Sequence, residues 1–122
     1  MSEERIEILK DLLNHPQFPI LTENVILISL ENPFVLDATV GREYFCESPS
    51  WVRELNESDN HFLVIKNIDY ITPDEQLKLV DLLKNRKVGL NHLKKDLFII
   101  LTVDKLDFSN INDEIISLTV QV

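Results

Sequence analysis

Apolar positions along the chain recur with two periods, and the alternation between them predicts the elements. Ile6, Leu9, Leu12 and Leu13 fall at three- and four-residue spacing, which predicts a helix over residues 3–14 that Pro16 and Pro19 forbid from continuing. Asn24-Val25-Ile26-Leu27-Ile28-Ser29-Leu30 is a β-branched, nearly unbroken apolar run, the pattern of a strand covered on both faces, and Asn32-Pro33 punctuates it. Ala38 to Cys46, with Gly41, Tyr44 and Phe45, fits a short hairpin or an extended loop. Ser48-Pro49-Ser50-Trp51 has the form of a helix start, Ser48 as cap and Pro49 in the first turn, for a helix through Leu55 or Asn56.

After the polar turn Asn56 to Asn60 comes a second apolar strand, Phe62 to Ile68. Thr72-Pro73-Asp74-Glu75 is a capping box with proline at the first helical position. The helix it opens shows Gln76, Leu79, Val80 and Leu83 on one face and closes on Lys84, Arg86 and Lys87, with Gly89 just past its end. A strand at Leu97 to Thr102, a helical turn at Asn112 to Ile116 and a last strand at Leu118 to Val122 complete the chain. Two apolar strands joined through a capped helix form a β-α-β unit, which requires parallel pairing. The predicted class is α/β, one domain over residues 1–122, with a mainly parallel sheet flanked by helices in three layers.

Composition narrows the chemistry. A chain of 122 residues with 44% apolar and 27% charged side chains has the make-up of one globular domain. No apolar run approaches the roughly 18 residues that span a bilayer, and Met1-Ser2-Glu3-Glu4-Arg5 lacks a signal-peptide core, so a cytoplasmic protein with no membrane partner is expected. The net charge of −9 repels phosphate backbones, which argues against a nucleic-acid partner. Basic residues cluster only in Lys84-Asn85-Arg86-Lys87 and Lys94-Lys95, read as helix-end compensation and solvation. A lone Cys46 reads as a buried small side chain, and His15, His61 and His92 lack ligand spacing, so no metal is expected. Ser48, Ser50 and Ser58 sit in no nucleophile elbow, and the adjacent Asp113-Glu114 pair reads as a capped turn.

From about Val25 onward the segments, in their order, resemble the AAA+ ATPase module in its MoxR-like branch. Gly41 to Phe45 followed by Ser48-Pro49-Ser50-Trp51-Val52-Arg53-Glu54-Leu55 resembles the family's loop and proline-then-Trp-Leu helix. Phe62-Leu63-Val64-Ile65-Lys66-Asn67 falls on its Walker B strand, and Asp69 to Gln76 resembles its Asn-x-Ala-x-Pro-x-x-Gln helix start. Asn85-Arg86-Lys87-Val88-Gly89 is similar to its Arg-x-Val/Leu-Gly turn, and Phe98 to Asp104 lies at its sensor strand. The resemblance implies a P-loop/AAA+-like remnant with about four strands. The family's first strand, which lies between its fourth and fifth, is expected to be missing together with the phosphate loop that follows it.

The departures matter as much. No Gly-x-x-x-x-Gly-Lys-Ser/Thr loop occurs, and the chain has only two glycines, Gly41 and Gly89. At the degenerate Walker B positions Lys66 replaces the aspartate that helps hold magnesium, and Asn67 replaces the glutamate that orients or deprotonates water. Asp104 stands near the position of the family's sensor asparagine, no arginine finger appears in Asn112 to Ser117, and the family's lid domain is expected to be missing. The expectation is therefore a protein with no catalytic residues and no cofactor. It is expected to act as a protein-interaction module that pairs with itself as a homodimer or binds a partner protein. Trp51, Arg53, Arg86 and Lys87 are its candidate contact residues, although Trp51 also fits the core. Two alternatives remain in view: a small acidic inhibitor or immunity-type protein that blocks a basic active site, and a residual nucleotide binder. The strand-helix-strand pattern is also similar to the STAS domain of anti-sigma antagonists, without its Asp-Ser-Ser/Thr-Gly signature.

Overall fold

Two long apolar runs become the middle of the sheet. Phe62–Lys66 and Phe98–Val103 pair in parallel, with Leu63 opposite Ile99 and Val64 opposite Ile100. The computed structural model describes residues 7, 11, 15, 17–23, 33–39, 50–104 and 108–121. Its strands are β1 (Ile20–Glu23), β2 (Phe34–Asp37), β3 (Phe62–Lys66), β4 (Lys87–Val88), β5 (Asn91–His92), β6 (Phe98–Val103) and β7 (Val120–Gln121). Its described helices are α1 (Ser50–Glu57), α2 (Leu77–Asn85) and α3 (Asp113–Leu118). The protein is α/β, with a five-stranded sheet in the order β2-β3-β6-β1-β7, parallel throughout, and a separate β4-β5 hairpin.

Side chains alternate across the sheet. Leu21, Leu36, Leu63, Ile65, Ile99, Leu101 and Val103 form one cluster with Trp51, Val52 and Leu55 of α1, Leu79, Val80, Leu82 and Leu83 of α2, and Ile115 of α3. On the opposite face Ile20, Val64 and Ile100 are fully buried, and Phe62 stacks on Phe98 at 5.5 Å between ring centroids. A sheet buried on both faces explains why β3 and β6 read as continuous apolar runs. Strands β2, β3, β6 and β7 advance across the sheet in one direction, and α1, α2 and α3 joining them pack on one face, as right-handed crossovers require. The step from β1 to β2 runs the other way.

Strand β1 corrects the sequence reading. The central place expected to be empty is held by Ile20–Glu23, paired with β6 on one side and β7 on the other. Ile20 and Leu21 are fully buried there, Thr22 lies opposite the buried Thr102, and Pro19 ends the approach by accepting a bond from the Val120 amide at 2.9 Å. Proline is tolerated because it precedes the strand and offers only its carbonyl. The predicted strand at 24–30, most of the uncertain segment 38–46, and the Ser48-Pro49 cap lie outside the described residues. Of the helix predicted over 3–14, Glu7 and Asp11 are described, both helical and exposed. The last strand narrows to Val120–Gln121 because α3 extends through Leu118.

The capping box forms, but the regular helix begins only at Leu77. The Thr72 hydroxyl accepts from the Glu75 amide at 3.2 Å, and the turn between them closes through Gln76 N–H to Thr72 C=O at 3.0 Å. Gln76 is fully buried. Its amide nitrogen donates to the carbonyls of Ile68, Ile71 and Asn110 at 3.0, 3.0 and 2.7 Å, and its amide oxygen accepts from Asn112 N–H at 2.7 Å. The helix ends on Arg86, which takes the left-handed conformation (φ 50) and sends its N–H to Leu82 C=O. Gly89 (φ 58) instead turns the two-residue β4-β5 hairpin.

Replacing Gln76 by alanine strands several buried carbonyls and one amide, each costing about 1–3 kcal/mol when left unpaired. The expected loss is about 3 kcal/mol, read as a lower denaturation midpoint, with Gln76→Glu no better because a carboxylate would face three carbonyls. A Gln76→Ala midpoint equal to the parent's would show that the amide carries no such load.

Candidate functional site

In a parallel sheet the carboxyl edge collects the strand ends at which connections diverge, and here β1 and β6 leave that edge toward opposite sides. Asp37 closes β2, Lys66 closes β3 and Asp104 follows β6, so Lys66, Asn67 and Asp104 come to one edge. Their neighbours form two small polar groups.

The first group is centred on Asp37. Its Oδ1 accepts from the Thr39 amide at 3.0 Å and hydroxyl at 2.7 Å; its Oδ2 accepts from Asn67 Nδ2 at 3.3 Å and lies 4.0 Å from Lys66 Nζ. The Thr39 hydroxyl above all holds the Asp37 carboxyl below its ordinary value; burial, the next largest influence, opposes it, and the Thr39 amide, Asn67 and Lys66 lower it further. Asn67 is left-handed (φ 64), and its carbonyl accepts from Tyr70 N–H at 3.1 Å to start the single turn Ile68–Tyr70. Asparagine tolerates that conformation, whereas a glutamate there costs about 1–2 kcal/mol. Lys66 is thus an ion-pair partner and Asn67 a turn former.

The second group joins the turn to the end of β6. Tyr70 hydroxyl donates to Asp104 Oδ2 at 3.0 Å, and Asp104 N–H donates to Asp69 Oδ2 at 3.2 Å. The buried Oδ1 of Asp69 has no hydrogen-bond partner. The bond to Asp104, then the charges of Asp104 and Asp69 with some burial, raise the Tyr70 hydroxyl above its ordinary value of 10.0. Sequence reasoning missed Asp37, Asp69 and Tyr70 as partners because each bond spans some thirty residues.

The other candidate residues lie away from this edge. Trp51 is core, 6% exposed and 6.3 Å from the Phe34 ring. Arg53 is exposed and pairs with Glu57 at 3.2 Å. The Arg86 guanidinium donates to Leu97 C=O; burial lowers its pKa from the ordinary arginine value and Asp96 offsets part of that, leaving it protonated at neutral pH. Lys87 lies beside α2 in a depression of 340 Å³ lined by Leu77, Lys78, Asp81, Val88 and Gly89. His15, His61 and His92 are exposed, and the described residues hold no group of three or more possible metal ligands. Among the described residues no helix is long and apolar enough to cross a membrane. Comparison with family models, curated proteins and solved structures finds no match.

The Tyr70–Asp104 bond has a pH signature. A raised folded value means that its stabilisation is complete below the free tyrosine value and is lost as pH rises through the folded one. Ultraviolet titration should show one tyrosine ionising above 10.0, and Asp104→Asn should bring that midpoint down; an unchanged midpoint would dissociate the two groups.

Proposed function

We propose that this chain is a non-catalytic protein-interaction module on an AAA+-like sheet. The strand order supports the relation: β7-β1-β6-β3-β2 places the first strand between the fourth and fifth, as in the family the sequence resembles. One observation carries the loss of catalysis. In that sheet the phosphate loop follows the first strand, and the residues joining β1 to β2, Asn24 to Pro33, include no glycine, lysine or arginine. A triphosphate cradle needs backbone amides turned inward around the anion and a cation beside them.

The carboxyl edge supports the same reading. Lys66 and Asn67 engage Asp37, and Asp104 engages Tyr70, so the side chains at the degenerate positions are turned to neighbours on the same edge. Lys66 and Asn67 supply no carboxylate to hold magnesium or to deprotonate an attacking water. What remains for the molecule is contact with another protein.

Calorimetry with ATP and magnesium should show no heat of binding. A dissociation constant in the micromolar range, about −8 kcal/mol, would overturn the reading.

A further inference from the structure

The β4-β5 hairpin carries a leucine where a turn ordinarily carries a polar residue. Leu90 is 73% exposed at its tip, and Leu77 of α2, across the depression beside Lys87, is 50% exposed. A second depression of 330 Å³ lies on the other side of Leu90, against Arg53 and Asn56 of α1. The hairpin is pinned: Asn56 Nδ2 donates to His92 C=O at 2.8 Å and Asn56 Oδ1 accepts from Lys94 N–H at 3.1 Å, while Leu93 N–H donates to Arg86 C=O at 2.8 Å. Leu90 is therefore held out on a fixed ridge.

Charge says what such a ridge fits. Residues 78–95, which form α2 beyond its start, the hairpin and the loop after it, carry six of the chain's twelve basic side chains and one acidic, Asp81. The remainder carries six basic against twenty acidic. The carboxyl edge is the counterpart: Tyr70 is 61% exposed there, amid Asp69 and the exposed Asp74, Glu75 and Asp104. Lys66 on that edge faces Asp37. Nucleic acid suits the ridge poorly, because its exposed apolar side chains are leucines, which offer no stacking face.

We infer that the hairpin ridge receives the acidic, tyrosine-bearing carboxyl edge of a second copy of this chain. Both halves of the contact are present on one molecule and consist of different side chains, so ridge meets edge rather than its own counterpart. Opposite charges steer the two surfaces together, and Tyr70 against Leu77 and Leu90 supplies the apolar centre. Although the chain is acidic overall, screening over about 8 Å at physiological salt leaves the local pairing to decide. The inference rests on the interaction-module reading and names its partner. A monomeric protein that still ignores ATP would sink this inference alone.

The test uses two variants of the whole chain. Lys87→Glu with Leu90→Glu disables the ridge; Tyr70→Lys with Asp74→Lys disables the edge. By sedimentation the parent should exceed monomer mass as concentration rises toward about 1 mM and fall back in about 0.5 M salt. Each variant alone should be monomeric, and an equimolar mixture should form a one-to-one dimer that grows no further, which also shows that both remain folded. A monomeric parent, variants that associate as the parent does, or a mixture that stays monomeric would each overturn the proposal. So would retention of labelled duplex DNA by a monomeric parent.

Discussion

The amide of Gln76 is the constraint on which the carboxyl edge depends. It is one fully buried side chain whose nitrogen and oxygen reach the turn after β3, the start of α2 and the approach to α3. An unpaired amide in that position would cost several kcal/mol, so the three segments must meet it in register or not pack at all. Once they do, Asp69 and Tyr70 are held facing the end of β6, and Asn112 is placed to cap α3 by accepting from Glu114 N–H at 2.9 Å. The neighbouring Asp37 group needs no such anchor, since Thr39 lies only two residues away.

What could be read from the chain follows from where the information sits. Strands β3 and β6 are legible because burial on both faces demands unbroken apolar runs, and α2 because capping is local. Strand β1 is not, because Ile20-Leu21-Thr22-Glu23 is short, follows two prolines and stands beside the more apolar Val25 to Leu30. Its place is decided by Thr102 and Val120 at the far end of the chain. The hairpin is hidden for a similar reason: Lys87-Val88 and Asn91-His92 are too short to show alternation, and Gly89 does its turning while Arg86 ends the helix. The site divides in the same way. Lys66, Asn67 and Asp104 stand out by position in a recognisable strand, whereas Asp37, Asp69 and Tyr70 join them only through contacts that local pattern cannot report.

Position also changes the meaning of residues that look like losses. Lys66 and Asn67 read in sequence as a magnesium-binding strand gone wrong. In the fold they do other work: the ammonium faces Asp37, and the asparagine takes a left-handed turn that glutamate would resist. Acidic residues at these two positions would strain the turn and leave Asp37 facing a second negative charge. The edge is held by a shared set of bonds, so a single substitution there disturbs several contacts at once.

The route by which the sheet closes bears on how the molecule can meet another. Strand β1, near the start of the chain, is complete only when β6 and then β7 have formed on its two sides. Such pairings of high sequence separation are slow, because loop closure must precede the contacts that reward it. Until they form, the flank of β6 that β1 will cover presents open donors and acceptors, the condition under which strands recruit foreign chains. In the finished fold that flank is occupied from within, so no missing central strand invites a partner's. The pinned hairpin, with its exposed leucine among lysines, is by contrast a side-chain surface held by bonds to α1 before any contact with another chain.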